Sequence, residues 1–593
     1  MAERKASKPL AEQLARTKKI WERLRRKSHV TLEERKALIA ELFEIITGKM
    51  KDYVLKHDSV RVVQTAVRYA NLDQRKAIAK ELMGSYRQLA ESRYAKFLIG
   101  KLLVRGDSEI RDLIVPEFFG YVRRLIKHPE ASWILDDVYR GIATKKQKAT
   151  ILREWYGPEF AIFQNDGMDD ISGDLADVLA KDARKRAPIM RSLHELINHL
   201  IQKKMTGFTL LHDAMLQYFL NAKPGIELVT DFIELIKGDE DGDLLKNLAF
   251  TKSGSRVVCL ALAYGTAKDR RQILKSYKDT IQLMACDSNA HIVLLTAYDV
   301  IDDTVLTAKS IFSELLGKDT EKQSENIIHL ANNMIGRTTL LYLFQGRSSS
   351  LFPSSLSAEI SFLSEIDDIR ATTSKKDPNT RQKELAKVLY PPLIRAIVLS
   401  SADLVTTSFG CQFITAVLFG AEGDKSEALK AVASTAAGDP TIHAVEIANT
   451  NLHIAYSSSG GKMLKALVIG GPYDRNLKKI VPISPPLNFA DILYPVIKNH
   501  LVEWAIGPSS YLVLSLFEAE NFSFKEEAIE LLSREWKKLV KASKGDMSEQ
   551  KARAEAAVGY NDVKAMEKNG KTAVLKDGET GNRGAKLILE LLN

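Results

Sequence analysis

A short pattern returns along this chain at a nearly fixed interval: a small or polar lead-in, two variable residues, then an aliphatic run. The clearest copies read HDSVRVVQTAV (57–67), SRYAKFLIGKLL (92–103) and HPEASWILDDVY (128–139), placing Val60, Lys96 and Ser132 in register at 36-residue steps. Further copies read TGFTLLHDAML (206–216), KSGSRVVCLAL (252–262) and SNAHIVLLTAY (288–298), with Ser255 and His291 again 36 apart. Weaker ones read IGRTTLLYLF (335–344), FGCQFITAVLF (409–419), SGGKMLKALV (459–468), PSSYLVLSLF (508–517) and TGNRGAKLILELL (580–592), eleven candidate units in all. Such a period constrains the fold before any single residue does. A unit this small cannot bury its apolar face alone and must stack on its neighbours.

The stretches between copies read as helices. LEERKALIAELFEIIT (32–47) and LDQRKAIAKELMGS (72–85) are good helix formers with apolar residues near the 3.6 period, and strand alternation is scarce. The expectation is an all-α superhelical solenoid of about eleven units in two subarrays joined at an angle. At 593 residues a globular reading gives about four domains; one extended array replaces them. Intervals of 76, 74 and 72 residues between some copies imply insertions or degenerate units. Two insertions carry NDGMDD (165–170) and DEDGD (239–243), which read as solvated acidic loops, since the glutamate that closes a calcium loop is missing. The chain divides into a basic leader (1–28), an N-terminal array (29–345), a Ser-rich loop or hinge (346–380) and a C-terminal array (381–593). Another loop, 469–488, contains GGP and SPP.

Charge separates these parts further. The chain sums to +10, yet residues 1–150 hold 33 Lys+Arg against 19 Asp+Glu, a net of +14, which leaves −4 for the rest. The densest run is Lys18, Lys19, Arg23, Arg25, Arg26 and Lys27 around Ile20, Trp21 and Leu24, a spacing that suits a helix docked by one face with its cations in solvent. A localised surplus of this size points to a polyanion, because phosphate neutralisation drives non-specific nucleic-acid binding. With 45% hydrophobic residues the chain is not disordered as a whole. Cys259, Cys286 and Cys411 are too far apart for a disulfide framework or a CxxC zinc site, which suits a reducing compartment. No apolar run approaches the ~18 residues of a membrane span, and the basic first thirty residues lack a secretory core.

Catalytic patterns are missing. SGGKML (459–464) lacks the first glycine and the hydroxyl residue of a phosphate loop. HELINH (194–199) sets its histidines five apart, too far around a helix to share a zinc face. Neither a metal, a cofactor nor an enzymatic activity is expected.

The copy HDSVRVVQ, with KSGSRVVC and FGCQFITA, resembles the core of a Pumilio (PUF) repeat. The whole chain is more specifically similar to the nucleolar Pumilio-like proteins of the Puf-A type. ARTKKIWERLRRK (15–27) resembles that branch's basic leader, and VLYPPLIRAIVLSSADLVTTSFGCQFITAVLFG (388–420) resembles its CPL region. The resemblance implies a non-enzymatic, monomeric RNA-binding protein of the nucleolus and nucleus, with no membrane association. It implies action in large-subunit ribosome biogenesis and pre-rRNA processing among pre-ribosomal assembly proteins. DNA binding and translational repression of mRNA are further implications.

Sequence-reading members use two side chains per repeat on a base edge and a third to stack on the base. The matching triplets here are Val60/Arg61/Gln64, Lys96/Phe97/Gly100, Ser132/Trp133/Asp136, Phe208/Thr209/His212, Ser255/Arg256/Cys259 and His291/Ile292/Leu295. Gly100, Cys259 and Leu295 cannot read a base edge as the code requires, so the one-base-per-repeat code is broken. Backbone binding and stacking need only cations and π-faces. The candidate contacts are therefore Arg61, Gln64, Lys96, Phe97, Trp133 and Arg256, beside Lys18, Lys19, Arg23, Arg25, Arg26 and Lys27. The competing reading packs Phe97 and Trp133 in the core and pairs Arg61 with a neighbouring acid. A HEAT-like protein-interaction scaffold explains the helices equally well but not the basic quarter.

Overall fold

The computed structural model describes residues 11–26, 29–162, 171–222, 226–239, 241–420, 422–441, 453–474, 477–544 and 581–592. Lys27, the loop at 165–170 and residue 240 of the second acidic insertion lie outside them. The chain forms two compact units, Met1–Ala261 and Leu262–Asn593.

All eleven aliphatic copies fall on helices. The leader is α1 (Ala11–Arg25), followed by the copies α2 (His57–Tyr69), α3 (Lys96–Arg105), α4 (Ala131–Gly141), α5 (Thr209–Ala222), α6 (Lys252–Tyr264), α7 (His291–Val300) and α8 (Gly336–Gln345). Then come α9 (Ser357–Thr373) and α10 (Pro378–Leu404), the copies α11 (Ser408–Gly420), α12 (Ser458–Ile469) and α13 (Ser510–Glu518), then α14 (Trp536–Lys544) and the last copy, α15 (Arg583–Leu592). Among the described residues the only strands are a two-residue hairpin, β1 (Tyr473–Asp474) and β2 (Lys479–Ile480), inside the 469–488 loop.

Stacking is sequential within each unit. In the first, α2 packs on α3, α3 on α4 and α4 on α5; in the second, α7 packs on α8, α8 on α11, α11 on α12 and α12 on α13. The buried faces are aliphatic: Val60, Val62, Val63 and Val67 on α2, Leu98, Ile99 and Leu102 on α3, and Leu135 and Val138 on α4. Each such side chain contributes about 1.5–3 kcal/mol when fully buried, so the array stands on contacts between neighbours. The expected spacer helices form at Leu32–Ile46 and Leu72–Glu81, the second opened by a capping box in which Asn71 and Gln74 satisfy each other's backbone.

A second device follows the same period. Gly48, Gly84 and Gly120 turn the chain at φ of +79°, +79° and +82°, conformations that glycine adopts without a Cβ penalty. A carboxylate from the next unit clamps each turn. Glu81 accepts from the Gly48 and Met50 N–H groups at 3.0 and 2.7 Å, and Glu117 from those of Gly84 and Tyr86 at 2.5 and 2.9 Å. Glu154 does the same for Gly120 and Val122 at 2.6 and 3.0 Å. In the second unit Glu314 clamps Asp279 and Ile281, both at 2.8 Å. Satisfying two backbone donors per junction fixes how each unit meets the next.

Two sequence expectations need correction. Residues 346–380 are not simply a loop, because α9 occupies 17 of them. Its buried Phe362, Leu363, Ile366 and Ile369 recur at helical spacing and hold it on α7, and the Ser-rich lead-in masked that signal. Likewise, α10 is long and apolar enough to cross a membrane by length and composition, although no such run was expected. It contains Pro391 and Pro392, departs from helical geometry at Ser400, and buries Leu385, Leu389, Leu393 and Ile397. Its Arg381, 1% exposed, donates to Ile301 O and Asp302. These are the marks of a core helix within the unit.

Candidate nucleic-acid interface

The leader docks as its spacing predicts. Ile20 and Leu24 are each 1% exposed and α1 packs on α2, while Trp21 is half-buried. Lys19, Arg25 and Arg26 are exposed, and Lys18 is half-buried. The arginines are not equivalent. Arg23 is held by Glu34 at 2.8 Å, and Arg25 lies 5.3 Å over the Trp21 ring. The Arg23 carboxylate partner titrates below its ordinary range because the guanidinium hydrogen-bonds it.

Arg61, Phe97 and Trp133 occupy one register in three consecutive helices, α2, α3 and α4, and all three are exposed. Phe97 is 56% exposed and Trp133 60%, so neither is core. Lys96 Nζ sits 5.3 Å from the Phe97 ring centre, and the Trp133 ring meets buried Phe208 in a T-shaped contact at 5.1 Å. That contact props the indole from one side and leaves its remaining surface to solvent. Tyr94, just before α3, packs edge-on against His57 at 4.1 Å and carries Arg93 over its ring at 5.7 Å. Aromatic faces backed by cations are what base stacking and phosphate attraction require. Arg256 holds the same register on α6 and is half-buried.

The positions flanking that register are occupied by the fold itself. Val60 is buried. Gln64 donates to Tyr94 O and accepts from Lys101, both at 3.1 Å, which makes it a tie between α2 and α3. Lys96 is paired with Glu130 at 2.8 Å, and a Cβ on Gly100 would touch Ile134. Ser132 is buried, and buried Asp136 accepts from the Leu210 N–H at 3.0 Å, its desolvation raising its pKa. His212 is fully buried between Thr206 O and the Thr251 hydroxyl at 2.8 and 2.7 Å, and burial lowers its pKa to about 4. Ser255 and Cys259 are buried. In the second unit His291 meets Glu359 at 3.2 Å and Leu295 is buried. Of the groups flanking the register, Gln64, Lys96, Asp136 and His212 are thus engaged by partners within the fold.

Sequence reasoning missed a row of arginines. Arg68, Arg105 and Arg140 lie in the last turns of α2, α3 and α4, and all three are exposed. Arg105 donates to Arg68 O at 2.8 Å. Burial first, then the charges of Arg68 and Arg105, lower the pKa of Lys101, while Arg140 pairs with Asp137 at 2.8 Å. The signal was available as an arginine 37 and then 35 residues on, just beyond the aliphatic copies.

Comparison with known proteins bears on this surface. Residues 332–478 match the CPL (NUC119) domain model. A Pumilio homology domain family member 6 of Schizosaccharomyces pombe is 34% identical over 540 residues, 91% of this chain and 80% of that protein. The crystal structure of human Puf-A superposes with a TM-score of 0.76 at 27% identity, covering 92% of this chain and 99% of that one. The structure of human Puf-A in complex with DNA gives 0.75 at 28% identity, covering 90% and 98%.

Proposed function

This chain belongs to the Pumilio homology domain family, and we propose that within it the protein binds RNA, single- and double-stranded, and also DNA, largely without reading sequence. One observation carries the reading. Across α2, α3 and α4 the register of Arg61, Phe97 and Trp133 is open to solvent, while the registers on either side are buried or tied up. Such a surface offers stacking and charge but no paired donors and acceptors with which to distinguish bases. The similar fold of human Puf-A, solved with DNA, supports the same reading.

The protein works without catalysis, as a monomer in the nucleolus. It holds pre-rRNA during large-subunit biogenesis, among pre-ribosomal assembly proteins, with translational repression of bound mRNA as a further role. The test is crosslinking in cells followed by sequencing of the bound RNA. Recovery of pre-rRNA segments without a shared short motif agrees with the proposal, and a single enriched motif would contradict it.

A further inference from the structure

The −4 that the sequence assigns to residues 151–593 is a net sum, and a basic helix in the second unit departs from it. Helix α14, WKKLVKASK, contains four lysines and no acid. Lys537, Lys538, Lys541 and Lys544 are all exposed, whereas Leu539 is buried. At about 100° per residue, Lys537, Lys541 and Lys544 fall within about 60° of one another, opposite Leu539. They form a single stripe. The next helix among the described residues continues the charge: α15 packs on α14, the Asn582 N–H donates to Ala542 O at 3.0 Å, and Arg583 and Lys586 in the first turns of α15 are exposed.

Pairing separates Lys537, Lys541 and Lys544 from the cations beside them. Nearby cations have partners: Arg534 has Glu530 at 2.6 Å and Lys538 has Glu535 at 3.2 Å. Among the described residues no acid pairs with Lys537, Lys541 or Lys544. In α1, by comparison, Arg16 and Arg23 are both held by glutamates, at 2.5 and 2.8 Å. The two lysines in the last turn, Lys541 and Lys544, also favour the helix dipole. That accounts for their place at the helix end but not for Lys537 in the first turn, nor for Arg583 and Lys586.

We propose that α14 and the first turns of α15 form a second nucleic-acid site, which takes the phosphate backbone of the RNA bound under the preceding reading and rests on that reading. From Lys537 to Lys544 the helix rises about 10 Å, a length over which one strand of a duplex presents about three phosphates. Three flexible lysines in line match that spacing without requiring any sequence.

The test is a salt titration of the full chain against a labelled mixed-sequence RNA of about 20 nucleotides. It uses the parent, a Lys537→Glu/Lys541→Glu/Lys544→Glu variant and the corresponding triple alanine variant, each checked for its melting temperature. Loss of three phosphate contacts at ~0.7 each lowers the slope of log K against log salt by about 2, with affinity near 0.1 M salt falling at least tenfold. The alanine variant should fall in the same direction by less. If both variants match the parent in slope and affinity, α14 is a solvated face and the inference is wrong. Should the parent itself fail to bind RNA, the functional reading fails first; a parent that binds while both variants bind equally well overturns this inference alone.

Discussion

Arg61, Phe97 and Trp133 are all exposed, but Trp133 leans on buried Phe208 whereas Phe97 meets only the Lys96 ammonium, so Phe97 is the more separable from stability. Replacing Phe97 or Trp133 by Ala should weaken single-stranded RNA binding by about 1–3 kcal/mol per lost stack, some five- to 150-fold, while the melting temperature barely moves for Phe97. A fall in melting temperature without loss of affinity would return these rings to a packing role. Glu154 makes the opposite kind of prediction. It is 0% exposed, and burial raises its pKa from the usual 4.5 to about 7 against the pull of its two backbone donors. Between those values the folded chain holds a proton that the unfolded chain has released. Its contribution is therefore full below pH 4.5 and is lost as pH rises through 7, by about 3 kcal/mol at most. Urea unfolding of Glu154→Gln, which mimics the protonated acid, should show a flatter pH dependence than the parent over that window; an unchanged dependence would refute the assignment. The shared exposed register of Arg61, Phe97 and Trp133 was legible in the sequence because position within the copy fixes it. The fate of its neighbours was not: Gln64 is tied by Tyr94 and Lys101, and Asp136 by Leu210, partners 30 to 74 residues away that no local pattern reveals.

Individual helices were legible wherever aliphatic spacing spoke alone, as in α2 and in the spacer Leu72–Glu81. The junctions between them were not. Gly48, Gly84 and Gly120 repeat at 36, as do Glu81 and Glu117, but the clamp they form lies outside the aliphatic copy and shows only once the chain is folded. Removing one clamp tests its weight. Glu117→Ala leaves the Gly84 and Tyr86 N–H groups without their acceptor, and should cost about 1–3 kcal/mol in the denaturant midpoint of the first unit; a loss below a few tenths would make the clamp incidental. At the same scale, α1 supplies charge through a subset of its cations. Reversing Lys19, Arg25 and Arg26 to Glu should lower affinity and the salt slope together, whereas Arg23→Ala, already paired with Glu34, should do much less. Equal losses from both would mean that the ion pair opens on binding.

At the scale of the molecule, the period announced a stacked helical array, and the structure divides it into two compact units. Counting charge by quarters located one basic surface and hid the lysine stripe of α14, because the acids elsewhere in a 443-residue remainder cancel it. Under the proposed function the open register of Arg61, Phe97 and Trp133 stacks and attracts, while Gln64, Lys96 and Asp136 beside it are held within the fold. The measurement that reaches that function most directly compares affinities for scrambled RNAs of equal length and composition, each titrated with salt. Sequence-independent binding gives affinities within about tenfold of one another and a common steep decline with salt. A preference well above tenfold for one order of bases, persisting as salt rises, would contradict it.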